Sequence, residues 1–118
     1  MNTRVSAPDL QKTPPRSGRD LLGGYAFLAR TIDKVRAEHA GTEGEYIGYC
    51  PLSMGFLTRA GVSHDEFDAL IQNGASDEEF VRLFDERVTP ENKEAANRYV
   101  LEDMSDSLDA QDAEEGRS

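Results

Sequence analysis

The sequence predicts an all-α fold, a single small domain of about five helices, and three kinds of punctuation say so. Two Ser-x-x-Glu capping boxes, Ser63-His64-Asp65-Glu66 and Ser76-Asp77-Glu78-Glu79, each precede an apolar run. Thr89-Pro90 sets a cap and a first-turn proline ahead of Ala95, Ala96, Tyr99 and Val100. Gly41 and Gly61 stand where helices should stop.

Taken in order, residues 1–19 carry Pro8, Pro14 and Pro15, which deny the segment a continuous helix and predict an extended arm. A helical domain over residues 20–104 follows. Its opening helix is expected from about Leu21 to His39. GEYIGYC, residues 44–50, mixes β-favouring residues with two glycines and reads as one short strand or an irregular turn. Pro51 suits the first turn of a short helix reaching Ala60. Phe67, Leu70 and Ile71 follow the first capping box; Phe80, Val81, Leu83 and Phe84 follow the second. Residues 105–118, SDSLDAQDAEEGRS, hold five acids and one Arg with little to bury, and read as a disordered acidic tail.

Composition excludes several classes. The formal charge is −10, divided between seven basic against four acidic side chains in residues 1–40 and six against nineteen beyond them. So acidic a chain is repelled by nucleic acid and by anionic membrane surfaces. The apparent helix-turn-helix around QNGAS offers DEEFVRLFDERV as its recognition helix, with five acids and two arginines, the wrong sign for phosphates. No apolar run suggests a signal peptide or a membrane span, so a cytoplasmic protein is expected. One cysteine and two scattered histidines make no metal-ligand pair, and Gly23-Gly24 lacks a phosphate-loop frame. Neither a metal nor a cofactor is expected. Without tryptophan, the core should be aliphatic with a few Phe and Tyr.

The opening helix raises the functional question. At 100° per residue, Leu21, Tyr25, Leu28, Ile32, Val35 and His39 form a core stripe, while Phe27 and Lys34 point the opposite way. Arg36 falls on the stripe, with Asp33 and Arg30 beside it on an alanine-lined flank. Asp33 can pair with either arginine but neutralises only one. The other needs another acid, with Glu45 nearest in sequence, backbone carbonyls, or a bound anion. One reading is a buried ion-pair network that pins the arm or the 44–50 segment. The other is an anion pocket helped by Arg16, Ser17 and Arg19 of the arm.

The run from Pro14 to Tyr46 resembles the opening of a bacterial family of small proteins known as domain of unknown function 5069. The matching elements are Pro15-Arg16-Ser17, Leu22-Gly23-Gly24-Tyr25, Arg30, Asp33-Lys34, Arg36-Ala37, Ala40-Gly41 and Gly44-Glu45-Tyr46. Pro51-Leu52, Phe56-Leu57 and Gly61 resemble its continuation, so the resemblance spans about residues 9–85. Ala29 stands where the family usually has Pro, and Ser53 where it often has an acid; neither touches the charged set. The resemblance implies a small, mostly helical intracellular protein and supplies no activity.

Cys50 lies just before a helix start, where a thiol pKa can fall, but no spacing sets His39 or His64 beside it as a base, and the bland reading is a small buried hydrophobe. The functional expectation is therefore a binding or regulatory module. Its site would comprise Arg16, Ser17, Arg19, Arg30, Asp33, Arg36, Glu45 and Tyr46, and would take a small anion or an acidic segment of a partner protein. The alternative is a small enzyme for an anionic metabolite built on Arg30, Asp33, Arg36 and Glu45, with Glu45 or Asp33 as general base. The chain is expected to be a monomer or a homodimer.

Overall fold

A computed structural model describes residues 6–117; residues 1–5 of the arm and Ser118 lie outside the described residues. The fold is mostly helical, with one very small antiparallel hairpin. The expected start of the opening helix is corrected, because residues 21–26 are not helical. Gly23 and Gly24 have φ of +60° and +84°, the signs of a two-residue hairpin turn, and L side chains resist that geometry. They join β1 (Leu21–Leu22) to β2 (Tyr25–Ala26), with Leu21 opposite Ala26 and Leu22 opposite Tyr25. Phe27 then turns the chain at φ +70°, and α1 runs from Leu28 to Ala40. The left-handed Phe27 costs about 1–2 kcal/mol. Burial of its whole ring offsets that, as do a bond from its N–H to the Gly18 carbonyl at 2.9 Å and bonds from Thr31 to its own carbonyl.

The remaining helices start where the caps require. They are α2 (Pro51–Ala60), α3 (His64–Gln72), α4 (Asp77–Arg87) and α5 (Pro90–Arg98). Both capping boxes are formed, and the Thr89 hydroxyl caps α5. The chain continues from α5 through one π-helical turn, Tyr99–Asp103, that keeps Val100 in the core. Residues 44–50 form turns rather than a strand, tied to α1 by the Gly48 N–H on Glu38 Oε2 at 2.9 Å. Residues 6–19 have no regular element, yet Leu10, Pro15, Ser17 and Gly18 of this arm are buried.

The segment expected to be a disordered tail is instead α6, Ser105–Glu114. Sequence composition misleads here because the helix needs only one apolar anchor, Leu108, which is buried. Two of its acids, Asp109 and Asp112, meet Arg19 and Ser17 of the arm, while Asp106 and Glu114 face water. Gly18 permits this approach: a Cβ there would lie 2.6 Å from the Phe27 ring and 2.7 Å from Leu108.

The core is more aromatic than expected. All five phenylalanines are fully buried, with Phe67 and Phe80 4.8 Å apart and Tyr25 edge-on to Phe84 at 5.2 Å. The core stripe of α1 is also corrected. Leu21 is 61% exposed and His39 is a surface residue, whereas Phe27 and Lys34, expected to face away, are buried. From Leu28 to Val35 the helix is covered on nearly every side. Among the described residues, no helix is long and apolar enough to cross a membrane.

Candidate functional site

The charges of α1 divide into two groups. The first binds the arm to α4. Arg16 donates from its backbone N–H and Nε to Asp33 Oδ2 at 2.9 and 3.1 Å, and from Nη2 to Oδ1 at 3.0 Å. Its Nη1 reaches Asp77, the first residue of α4, at 2.8 Å. Arg36 meets the same Asp77 carboxylate at 3.1 Å and donates to the Ala75 carbonyl at 2.8 Å. Burial alone would raise the Asp77 pKa, but the two guanidiniums outweigh it and hold the carboxyl below its ordinary value. Asp33 thus pairs with the arm and not with Arg30 or Arg36. This group is an internally neutralised clamp.

The second group receives α6. Arg19 donates to Asp109 at 2.7 Å and to the carbonyl and hydroxyl of Ser105 at 3.2 and 3.1 Å. The Ser17 hydroxyl donates to Asp112 at 2.8 Å. Arg30, only 2% exposed, grips Glu115 with both prongs at 2.9 and 2.6 Å, and the Tyr46 hydroxyl donates to the same carboxylate at 3.0 Å. Burial tends to raise the Glu115 pKa, yet Arg30, Tyr46 and Arg117 leave it lowered. The Tyr46 hydroxyl is pushed up by burial and by its bond to Glu115. Arg117 closes the end of the segment, pairing with Glu115 and donating to the Pro15 carbonyl at 2.7 Å. The second arginine is therefore neutralised from the far end of the chain and not by Glu45, which is exposed.

Behind Glu115 lies a cavity of about 460 Å³. Arg30, Lys34 and Cys50 line it from the domain side, with Glu45, Tyr46 and Ile47 from the 44–50 segment, Gln111 and Glu114 from α6, and Glu115 from the cap that ends α6. Lys34 is 3% exposed, and its Nζ donates to Cys50 Sγ at 3.1 Å. No carboxylate lies within ion-pair distance of Nζ among the described residues, although Phe27 presents its ring at 5.4 Å. Cys50 is the N-cap of α2, and its Sγ accepts from the Ser53 N–H at 3.4 Å. The Ser53 hydroxyl lies 3.5 Å from Sγ and 3.2 Å from the Thr31 hydroxyl, both serine and threonine being buried. Burial would raise the thiol pKa, but the Lys34 charge and the Ser53 hydrogen bonds bring it below its ordinary value. Burial lowers the Lys34 pKa, and the sulfur only partly restores it. A second cleft of about 450 Å³ runs along α5 past Lys93, Asn97 and Leu101, remote from these groups.

Of the eight expected site residues, Arg16, Asp33 and Arg36 thus form the clamp. Arg19, Ser17, Arg30 and Tyr46 hold α6, and Glu45 stands at the cavity rim. The sequence reasoning missed Lys34, Glu115 and Asp77. A signal existed for Lys34: Phe27 lies seven residues earlier on the same face, and a large aromatic there argues against an open solvent side. Among the described residues, no group of three or more His, Cys, Asp or Glu is placed to hold a metal.

Fold and charge pattern together define a small helical domain whose basic arm and central helix carry an acidic C-terminal helix. The chain matches the family described as domain of unknown function (DUF5069) over residues 12–117, and it belongs to that family. A comparison with curated proteins returned no match.

Proposed function

We propose that this protein is a small binding or regulatory module whose basic face, built from Arg19, Ser17, Arg30 and Tyr46, takes an acidic helical segment. One observation carries the reading: the buried, two-pronged Arg30–Glu115 pair with Tyr46 donating to the same carboxylate. Such a pairing is specific for a planar anion and is expensive to leave half-made. Here the chain's own α6 fills the face, so a partner segment must compete with a tethered one at high effective concentration. In this reading the module works in the cytoplasm, where Cys50 stays reduced, as a monomer or homodimer and away from nucleic acid.

The reading of a small anionic metabolite shares the same residues, with Glu115 standing where its carboxylate or phosphate would sit. The enzyme reading has less support, because Asp33 is engaged three times by Arg16 and Arg36 is held by Asp77 and the Ala75 carbonyl.

The test uses the full chain and its Glu115→Gln variant, titrated with a fluorescent peptide of residues 103–118. Binding should be weak to the parent chain and clearly tighter to the variant, and lost when Arg30→Ala is added. Equal, negligible binding to both proteins would overturn the reading. A melting screen of the same variant against carboxylates, phosphosugars and nucleotides separates the small-anion form from the segment form.

A further inference from the structure

The start of α6 lacks the local signals that fix α2 to α5. Side chains of Cys50, Ser63, Ser76 and Thr89 cap those four helices, whereas α6 has Met104 at its N-cap position and no side-chain cap. Between Pro90 and Gly116 the chain holds neither proline nor glycine, so the local sequence gives a helix no reason to stop. The break is a single residue, Met104 at φ −106° and ψ 22°, with the π-helical turn before it and α6 after it. With Met104 at ordinary helical angles, residues 90–114 would form one helix about 38 Å long, and the first N–H groups of α6 would gain carbonyl partners. The bend is therefore held by the tertiary contacts of α6.

Those contacts lie at the other end of the chain. Asp109, Asp112 and Glu115 follow one another at three-residue spacing and set a row of carboxylates along the segment. They meet Arg19, Ser17 and Arg30 in turn. Leu108 is the one buried residue of α6 and packs where Gly18 leaves room. A copy of α6 delivered by another molecule makes every one of these contacts equally well, because none of them runs to α5 or to the π-helical turn.

We propose that the acidic segment this face takes from outside is α6 of a second copy of the chain, exchanged reciprocally about a two-fold axis with Met104 as the hinge. The proposal rests on the binding-face reading and names its partner. In the exchanged dimer each Arg30 still closes on a Glu115 with both prongs, and only the two hinges change conformation. A foreign peptide would have to reproduce the carboxylate row and its apolar anchor, whereas a second copy carries both. The tethered α6 competes at an effective concentration on the order of 1 mM, so the dimer belongs to concentrated protein.

The full chain is followed by sedimentation velocity from about 10 µM to about 1 mM, up to that effective concentration. Each chain carries a formal −10, so the runs are made at physiological ionic strength, where the Debye length is about 8 Å. A dimer should appear toward the upper end and revert on dilution. Met104→Gly should weaken it about tenfold, because glycine's penalty inside a continuous helix is met at both hinges and not in the closed monomer. Two further full-length variants, Arg30→Glu and Glu115→Arg, separate exchange from any other dimer. Alone, each sets like charges together in its closed form and in its own exchanged dimer. Mixed in equal amounts, exchange pairs opposite charges at both faces, so a heterodimer should form at concentrations where neither variant dimerises alone. If those variants fail to fold, Met104→Gly decides, and a dimer it leaves unchanged overturns the exchange. A monomer up to the highest concentration overturns it as well. In that case, continued binding of the residue 103–118 peptide to Glu115→Gln leaves the binding face standing, and its absence removes both.

Discussion

Arg36 joins two elements through one planar group, and its loss should be felt as a loss of geometry before a loss of charge. Its guanidinium serves the Ala75 carbonyl and Asp77 together, at 2.8 and 3.1 Å. An ammonium presents no such fork. Arg36→Lys should therefore lower stability by roughly 1–3 kcal/mol, checked by urea unfolding, and an unchanged midpoint would show that the carbonyl contact contributes nothing. Asp77 and Glu115 extend the argument to pH, since each has a folded-state pKa below its ordinary value. Such a carboxyl binds fewer protons folded than unfolded. Its stabilisation is complete above the ordinary value, 3.8 for Asp77 and 4.5 for Glu115, and is lost as pH falls through the depressed folded value. Melting temperature should thus be flat from neutrality to about pH 5 and fall below it. In Glu115→Gln the acid-side fall should be shallower, because one of the linked protons has been removed.

The hairpin is the element that explains why α1 begins late. Gly23 and Gly24 sit at positive φ, and α5 clamps their turn: Lys93 donates to the Gly23 carbonyl at 3.0 Å and Asn97 to the Gly24 carbonyl at 2.8 Å. A Cβ at position 23 would also lie 2.6 Å from Val81. Gly23→Ala should cost about 1–2 kcal/mol from the backbone alone, more with the clash, and its midpoint in urea measures this. That double glycine was legible as punctuation, yet the apolar period running through Leu21 and Tyr25 argued for helix and misled, because period cannot sense left-handed φ. The caps behaved differently. Ser63, Ser76 and Thr89 mark helix starts through bonds made within four residues, so local sequence carries the whole signal. The charged helix lies between these cases. Its buried arginines were legible as charges beside an alanine flank. Their partners were not, because Asp77 and Glu115 come from 41 and 85 residues away. Lys34 was lost to the assumption that a helix has a solvent side. α1 is instead a central helix, covered nearly all round.

At the scale of the whole molecule, the acidic end and the basic beginning are two halves of one contact. The uneven charge of the sequence, basic before residue 40 and acidic after, is matched in the fold, where α6 lies across the arm. That docking buries Leu108, worth about 1.5–3 kcal/mol. It also neutralises Arg30, whose side chain is buried with Glu115 as its one carboxylate partner among the described residues. Removing residues 105–118 therefore does two things at once: it opens the Phe27 side of the core and removes a buried, two-pronged charge pair, whose hydrogen bonds are worth about 1.5–3 kcal/mol. A domain of this size shifts its melting temperature by roughly 4–8 °C per kcal/mol, so the truncated chain should melt well over 10 °C lower. A disordered tail would leave melting unchanged, so the two pictures separate in one scan. Adding the peptide of residues 105–118 in trans should recover part of the loss, saturably and less well at high salt, because Arg19–Asp109 is an exposed pair. Full-length protein carrying Arg30→Met isolates the second effect. With the cation gone but Leu108 still docked, Glu115 is left without its buried partner, and Cys50 should become more accessible to alkylation as the end of α6 loosens. If alkylation is no faster in that variant, the Arg30–Glu115 pair is not what holds the helix over the cavity.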